Sequence, residues 1–228
     1  MPKVSTEYLK KKRSEILEAA YTVCMKKPLH QVSMRDVINE SGFSPGGVYR
    51  YFSNFSDILI ALVDRDSYKY DIVNLTDRVL LHDDIPERVL GRIFTILGDT
   101  VIDNLIGVGK IFYESLVVYA EDPKVLNRFY TESEMVAKEN YIKEKALTYV
   151  EQKITEGYFK PQLPSDALYG FLFTAIDGII RDTILIQHYQ MNALPFASLE
   201  KNSLIKSLCT AFVLLLGGKG DLIYGSES

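Results

Sequence analysis

Two short helical patterns, separated by a glycine, lie between residues 33 and 52 in the run SMRDVINESGFSPGGVYRYF. In the first pattern, Met34, Val37 and Ile38 recur at the three- and four-residue spacing of a helix that buries one face. Ser33 stands just before them, where its hydroxyl can accept hydrogen bonds from the N–H groups that a helix start leaves unpaired. The pattern predicts a short amphipathic helix that begins at this serine.

The second pattern begins beyond a glycine turn. Gly42 can adopt the left-handed backbone conformation that ends one helix and redirects the chain. Ser44 and Pro45 are the residue types preferred as N-cap and as first residue of a new helix. Within that helix Val48 and Phe52 are four residues apart and can share a buried face. Together the two patterns predict a helix-turn-helix.

The outward face of the second helix carries residue types that suit DNA. Gly46 and Gly47 add no bulk at the end of the helix that would approach the floor of the major groove. Arginine can bond guanine and a tyrosine hydroxyl can bond phosphate, which makes Tyr49 and Arg50 candidates for contact. The predicted DNA-binding residues are Ser33, Arg35, Ser44, Pro45, Gly46, Gly47, Tyr49, Arg50 and Tyr51.

At these residues the chain resembles a known family. Residues 13 to 63 are similar to the N-terminal DNA-binding domain of the TetR family of bacterial transcriptional regulators. The shared features are ILEAA in the first helix, the capped second helix, the Gly-Phe-Ser turn, the GGVYRYF recognition helix and the Asp-Ile-Leu of the fourth helix. The resemblance implies an all-α fold, with an N-terminal three-helix helix-turn-helix domain and a larger C-terminal helical domain for ligand binding and dimerisation.

The resemblance also suggests domain bounds. We expect a DNA-binding domain at residues 1–54, an effector-binding and dimerisation domain at 55–218, and a flexible tail at 219–228. Two features depart from the family pattern. Phe55 stands where a phosphate-contacting lysine is common, and Pro28-Leu29-His30 replaces a glycine turn before the first capped helix. The first departure weakens one expected phosphate contact, and the second changes a loop.

Charge is distributed unevenly along the chain. Overall the chain carries a formal net charge of −4, which opposes binding to nucleic acid if it is spread evenly. Residues 1–60, however, carry nine basic and six acidic side chains, a net of +3, which leaves −7 for the remainder. This polarity suits a basic head on an acidic body. The basic run at residues 10–13 fits either direct phosphate contact or a solvated helix start.

Beyond the head, the hydrophobic spacing stays helical and no strand pattern competes with it. We predict that the fourth helix joins the two domains directly. Aspartate shortly before proline, and glycine, mark the breaks between the predicted helices. The predicted helices cover residues 6–26, 33–40, 45–51, 55–80, 86–105, 108–120, 123–158, 166–190 and 199–216.

Features that would place the chain outside the cytoplasm are not found in the sequence. Cys24 and Cys209 each lie in an apolar helical run, as expected of reduced, buried cysteines. The charged start MPKVSTEYLKKKR is not followed by an apolar core, so we expect no signal peptide. The longest apolar tract, residues 208–216, is too short to cross a bilayer. We expect a cytoplasmic protein with no membrane partner.

An enzyme is the competing class, and its signals are few. Asp83-Asp84-Ile85-Pro86-Glu87 has the spacing of an Asp-rich magnesium motif, but the proline favours an acidic helix cap in a loop. The three histidines are scattered singly, with no ligand at metal-binding spacing. No nucleophile elbow, phosphate-binding loop or dinucleotide fingerprint occurs. We therefore expect no catalytic residues, no metal and no cofactor.

Two C-terminal helices have apolar faces wide enough for self-association. The pattern at 166–190 is apolar on more than one side, and 204–215 carries a comparable face. In the resembling family the last two long helices form a four-helix dimer bundle, although the same pattern also fits core within one chain. The residues predicted for the dimer interface are Ile176, Ile180, Ile184, Leu208 and Phe212.

Aromatic side chains on the middle helices are candidates for an effector pocket, because ligand pockets are mostly apolar. They would suit an apolar or planar small molecule, and they also fit plain core. The candidates are Phe94, Phe112, Tyr113, Tyr119, Tyr141, Phe171 and Phe173. The sequence thus predicts a ligand-responsive, DNA-binding regulator, a repressor that binds a palindromic operator as a homodimer and leaves it on binding an effector. The alternative is a helical enzyme or small-molecule carrier whose head no longer binds DNA.

Overall fold

The computed structural model describes residues 5–224, apart from Asp66, Tyr70, Asp83 and residues 192–200. Within that part of the chain every regular element is helical, and the all-α prediction is confirmed. The α-helices are α1 (Thr6–Lys26), α2 (Met34–Ser41), α3 (Pro45–Tyr49), α4 (Phe55–Val63), α5 (Ile72–Leu81), α6 (Pro86–Ile96), α7 (Asp103–Val118), α8 (Pro123–Glu132), α9 (Glu134–Thr155), α10 (Ser165–Tyr189) and α11 (Lys201–Leu215). A π-helical segment, Leu97–Ile102, joins α6 to α7.

The chain divides into two compact units. The first comprises residues 1–68 and Val108–Val136, and the second comprises Lys69–Gly107 and the residues from Ala137 onward. The first unit thus contains the four N-terminal helices together with most of α7, all of α8 and the start of α9. The predicted domain bounds at residues 54 and 218 stay a prediction.

The core of the first unit is formed by α1, α2 and α4, with α1 packed against both of the other helices. Helix α1 buries Ile16, Ala20 and Cys24, which recur every four residues on one face. Helix α4 is buried nearly all round, from Ser56 and Ile58 to Val63. A helix without a polar face is a core element, so α4 lies in the centre of this unit.

The core of the second unit lies among α6, α10 and α11. Helix α10 contributes a stripe of five buried residues at four-residue spacing: Leu168, Leu172, Ile176, Ile180 and Ile184. Helix α11 contributes Ile205, Leu208, Cys209, Phe212 and Val213. The rings of Phe94 on α6 and Phe212 on α11 are 6.0 Å apart.

Three helix boundaries differ from the sequence pattern. Helix α4 ends at Val63 rather than running to residue 80, so it does not join the domains directly. Helix α7 runs through residues 105–108, where a break was predicted. The predicted helix over 123–158 is two helices separated by Ser133, whose buried hydroxyl accepts from the Val136 N–H and so caps α9.

The residues after α11 also differ from the expectation, because residues 219–224 are packed rather than loose. The backbone N–H of Lys219 donates to the buried carboxylate of Glu87 at 3.1 Å. Ile223 is buried against Gly91 of α6, where an added Cβ would lie 2.7 Å from its Cγ2. Residues 225–228 of the predicted tail lie outside the described residues.

Candidate nucleic-acid interface

The start of α2 is fixed by a reciprocal capping box. The Ser33 hydroxyl accepts from the Asp36 N–H at 3.4 Å, and the Asp36 carboxylate accepts from the Ser33 N–H at 2.8 Å. Lys27 forms an ion pair with Asp36 at 2.9 Å. The bonds from Ser33, followed by the contact with Lys27, lower the pKa of Asp36 to about 2. The predicted cap is confirmed, and its partner Asp36 is a residue that the sequence pattern had not singled out.

The turn between α2 and α3 depends on Gly42. This residue ends α2 with a φ of +69°, the left-handed conformation that the sequence predicts there. Ser44 then caps α3 by accepting from the Gly47 N–H at 3.2 Å, and Pro45 is the first helical residue. The chain is thus redirected over a few residues, as a helix-turn-helix requires.

Helix α3 is short and presents two different faces. Val48 is fully buried, and Phe52, just beyond the helix, is 3% exposed, so both anchor it to the core as predicted. The opposite face exposes Ser44, Pro45, Gly46, Tyr49 and Arg50, with Gly47 and Tyr51 partly covered. An added Cβ at Gly46 would meet nothing within 4 Å, so that end of the helix is open to an approaching surface.

Helix α2 adds to the same surface at its start. Ser33 and Arg35 are both exposed. All nine candidate residues therefore lie on one helix-turn-helix, and the described structure leaves their outer groups accessible except where Gly47 and Tyr51 are partly covered.

The basic run on α1 is partly committed to contacts within the head. Lys12 pairs with Glu15 at 2.7 Å and lies 5.1 Å from the ring centre of Phe43. Arg13 stacks over the ring of Phe52 at 4.9 Å. Lys10 and Lys11 are exposed. Lys12 and Arg13 thus make contacts inside the head. Lys10 and Lys11 remain candidates for direct contact with phosphate.

Phe55 is the first residue of α4, and its side chain is partly exposed. The preceding residue, Asn54, caps α4 by accepting from the Asp57 N–H at 2.9 Å. The start of α4 is therefore well ordered, but it offers an aromatic ring where the family pattern has an ammonium group.

The candidate effector aromatics do not form one group. Phe112, Tyr113 and Tyr119 lie on the part of α7 that belongs to the first unit or directly after it, and the first two rings meet edge to face at 5.6 Å. The other four belong to the second unit, where Phe171 is 46% exposed and the Tyr141 hydroxyl donates to Asp77 at 2.6 Å. Phe94 and Phe173 line a common cavity.

That cavity is apolar and small, about 40 Å3, and lies among α6, α9 and α10. Its lining residues are Ile93, Phe94, Leu97, Ile142, Lys143, Ala146, Leu147, Leu172, Phe173 and Ile176. Lys143 is the charged member, paired with Glu139 and 5.5 Å from the Phe173 ring centre. A second, more polar cavity of about 290 Å3 lies between α6 and α11 and also touches Phe94.

The residues predicted for a dimer interface lie in the core of the second unit. Their exposure is between 2% and 7% for Ile176, Ile180, Ile184, Leu208 and Phe212. Side chains that are already buried within one protomer have almost no surface left to offer a partner. The interface assignment is corrected accordingly: the apolar stripe identified in the sequence is the half of the helix that packs inside the chain.

The acidic segment considered for magnesium forms ion pairs within the protein. Asp84 accepts from Arg92 at 2.8 Å and lies 3.6 Å from Arg88, while Glu87 is buried and bonded to Tyr158. Asp83 lies outside the described residues. Among the residues that the structure describes, no group of three or more His, Cys, Asp or Glu side chains is placed to hold a metal ion. Nor is any described helix long and apolar enough to span a membrane.

An all-helical chain whose second and third helices are joined by a capped glycine turn, with a polar open outer face, is a helix-turn-helix protein. Residues 16–62 match the family model described as bacterial regulatory proteins, tetR family. The N-terminal domain of this chain is therefore similar to the DNA-binding domain of that family.

A curated relative supports the same domain. An uncharacterized HTH-type transcriptional regulator, YfiR of Bacillus subtilis, is 46% identical over 63 residues, which are 28% of this chain. The match spans 31% of that relative's length. The remaining helices are therefore not covered by this comparison.

Solved structures extend the likeness to the whole fold. Salmonella enterica GusR has a TM-score of 0.56 at 17% identity and covers 94% of this chain and 98% of its own. A TetR transcription regulator from Haloarcula marismortui has a TM-score of 0.57 at 15% identity, covering 91% and 97%. The transcriptional regulator FadR from Bacillus subtilis, in complex with stearoyl-CoA, has a TM-score of 0.51 at 20% identity, covering 86% and 97%. These likenesses establish the fold.

Proposed function

We propose that this protein is a transcriptional regulator that inserts α3 into the major groove of DNA. The observation that carries the proposal is the composition of the exposed face of α3, where the open position of Gly46 precedes Tyr49 and Arg50. Small residues allow the helix end to approach the base edges, while the arginine and the tyrosine supply hydrogen bonds to guanine and phosphate. Arg35 and the capping serines lie on the same side and suit backbone contacts.

A homodimer is the second part of the proposal. Two recognition helices about 34 Å apart double the contact with DNA and match a palindromic site. The surface that supports pairing is the exposed side of α10 and α11, opposite the buried stripe. On α10 Phe171, Thr174, Gly178, Leu185 and Tyr189 recur at helical spacing on exposed or partly exposed positions. Leu214 of α11 is 50% exposed. Burial of such side chains against a second copy removes apolar area from water.

The third part is a small-molecule effector in the second unit. The apolar cavity beside Phe94 and Phe173 has a volume of about 40 Å3, far below the roughly 300–1,000 Å3 of typical ligand pockets. An apolar or aromatic ligand must therefore part α6, α9 and α10 to enter. A ligand that binds only the parted arrangement would shift the population toward it. The same fold holds stearoyl-CoA in the FadR structure, so it is able to take a ligand.

In this proposal the protein represses transcription while it is bound to DNA and releases the DNA on binding its effector. It acts in the cytoplasm, where its DNA lies. The competing function is a helical carrier or enzyme whose head has lost affinity for DNA. Two observations favour this carrier or enzyme. Phe55 supplies no positive charge for a phosphate contact, and Lys12 and Arg13 make contacts with other residues of the head.

A mobility-shift assay with the DNA upstream of the protein's own coding region separates the two functions. A regulator should give a sequence-specific shift that weakens with salt, because bound cations release counterions from DNA. A scrambled duplex of equal length is the control. Equal binding to both duplexes, or no binding at low salt, would reject the proposed function and favour the carrier.

A further inference from the structure

Arg128 of α8 connects a helix far along the chain to the start of α4. Its Nη2 donates to Asp57 Oδ1 at 2.8 Å, and its Nη1 donates to the Ser56 hydroxyl at 3.2 Å. Glu132, one turn further on α8, accepts from the same guanidinium at 2.8 Å through both of its oxygens. This second carboxylate holds the planar fork in place, so the guanidinium reaches α4 in one orientation.

Asp57 carries the connection onward to the recognition helix. Its second oxygen, Oδ2, accepts from the backbone N–H of Ser53 at 3.0 Å. Ser53 directly follows Phe52, the buried residue that anchors the end of α3. We call the series Arg128, Asp57 and Ser53 the Arg128 bridge. It links α8 to the backbone just beyond the recognition helix through two hydrogen bonds.

A recognition helix this short depends on its flanks. Helix α3 has five residues, fewer than an isolated helix needs to be stable in water. Its N-terminal flank is set by the Gly42 turn, and its C-terminal flank is the stretch from Arg50 to Asn54. The backbone N–H of Ser53 is the group in that stretch that is bonded to a side chain of the Arg128 bridge.

The far end of α4 is tied to the same region of the chain. Asp64, which follows α4, accepts from the Ser133 hydroxyl at 2.6 Å and from the N–H groups of Glu134 and Met135 at 3.1 Å. Ser133 directly follows α8. Helix α8 therefore contacts the start of α4, and the residues directly after α8 contact the end of α4; all of them belong to the first compact unit.

We propose that Arg128 is a positioning residue for DNA recognition: through Asp57 it sets the angle at which α3 leaves the head, and it makes α8 the helix that holds this angle. The proposal rests on the proposed DNA-binding function. A simple surface ion pair is the competing explanation, because the side chains of Arg128 and Asp57 are 33% and 24% exposed and such pairs add little stability. The two explanations differ in what the loss of Arg128 does to Ser53 and to sequence preference.

The experiment compares Arg128→Ala and Arg128→Lys with wild type at matched folded fraction. Lys153→Ala is the control, because it removes a partly exposed cation from a helical ion pair in the second unit. Hydrogen exchange at the Ser53 amide should quicken about tenfold in Arg128→Ala, because the acceptor on Asp57 is no longer held. The exchange rate in Arg128→Lys should be intermediate, since an ammonium keeps the positive charge but lacks the planar set of donors of a guanidinium. The control should exchange like wild type.

DNA binding gives the second readout. Fluorescence anisotropy is measured with the duplex that binds in the mobility-shift assay and with its scrambled version. In Arg128→Ala the ratio of specific to non-specific affinity should fall about tenfold, while the non-specific affinity stays unchanged. Asp57→Ala should reproduce the loss, and the double variant should be no worse than either single one. Unchanged Ser53 exchange, or an equal loss on both duplexes, would overturn the proposal. A wild-type protein without sequence preference would instead reject the proposed function, and the exchange measurement would still decide whether the bridge holds this segment.

Discussion

The ammonium group of Lys110 on α7 lies 2.8 Å from the carbonyl oxygen of Cys24, near the end of α1. It also donates to the carbonyl of Lys27 at 3.1 Å and pairs with Glu114 at 3.1 Å. Glu114 in turn accepts from the Leu29 N–H at 2.6 Å. A buried cation thus satisfies carbonyls that the end of α1 leaves unpaired, and its partner carboxylate holds the following turn.

We predict that Lys110→Met destabilises the protein by roughly 3 kcal/mol, because it removes the cation that faces the partly buried Glu114 carboxylate and leaves two carbonyls without a donor. The measurement is urea-induced unfolding followed by circular dichroism. Lys11→Met removes an exposed lysine from the same α1 and should change stability by less than about 0.5 kcal/mol. Equal losses in the two variants would mean that Lys110 is solvated rather than buried.

The ion pair of Lys110 and Glu114 also shows where sequence reasoning stops. The cap of α2, the left-handed Gly42 and the burial of Val48 follow from residue types within the single run of residues 33–52, so the sequence predicts them. Lys110 is 86 residues from Cys24, and no local pattern announces their contact. Local rules find the helix-turn-helix, whereas the contacts that support it depend on the tertiary fold.

The end of α4 is a second example. The apolar run from Phe55 onward continues in a helical pattern, which predicts a longer helix. Asp64 is instead used as an acceptor for the start of α9, and α4 ends one residue earlier. For α10 the sequence shows apolar residues on more than one side, and only packing within the second unit decides that Ile176 faces inward.

Two glycines of the helix-turn-helix should respond in opposite ways to alanine. Gly42→Ala should cost about 1 kcal/mol, because a residue with a Cβ is strained at a φ of +69° although nothing lies within 4 Å. Gly46 is helical and equally open, so Gly46→Ala should be neutral or stabilising by up to about 1 kcal/mol. Thermal unfolding of both variants measures the difference. Destabilisation of similar size at Gly46 would contradict the open face described for α3.

Acid should weaken the start of α2. Because folding lowers the pKa of Asp36 from 3.8 to about 2, chiefly through the bonds from Ser33, its contribution is present above pH 4 and is lost as the pH falls toward 2. We expect the urea midpoint of wild type to fall more steeply than that of Asp36→Asn over this interval. Above pH 5 the two midpoints should run parallel. The same slope in both proteins would show that Asp36 does not contribute to the acid sensitivity.

The exposed faces of α10 and α11 make the dimer testable with matched substitutions. Phe171→Asp and Leu214→Asp should give folded monomers, because each places a charge in an apolar contact between copies without disturbing the chain's own core. Leu81→Asp, at a residue that is 85% exposed on α5, should leave the dimer intact. Sedimentation at micromolar concentration is the measurement. If both interface variants stay dimeric, pairing uses another surface.

Arg50 carries the most specific prediction about DNA. The side chain is exposed on the same short helix as the open Gly46, so it can reach guanine in the major groove. Arg50→Ala should cost about 1 to 3 kcal/mol on the specific duplex and relax the base preference at one position of each half-site. Anisotropy titrations against duplexes substituted one base pair at a time measure this directly.

Arg78→Ala, which removes an exposed arginine from α5 in the second unit, is the control and should bind like wild type. A phosphate contact would give a different result from base recognition. Arg50→Ala would then weaken every duplex equally and lower the slope of binding against salt by about one counterion per head. Such an outcome would leave the helix-turn-helix in the groove but would assign sequence preference to Tyr49, Tyr51 or Arg35 instead.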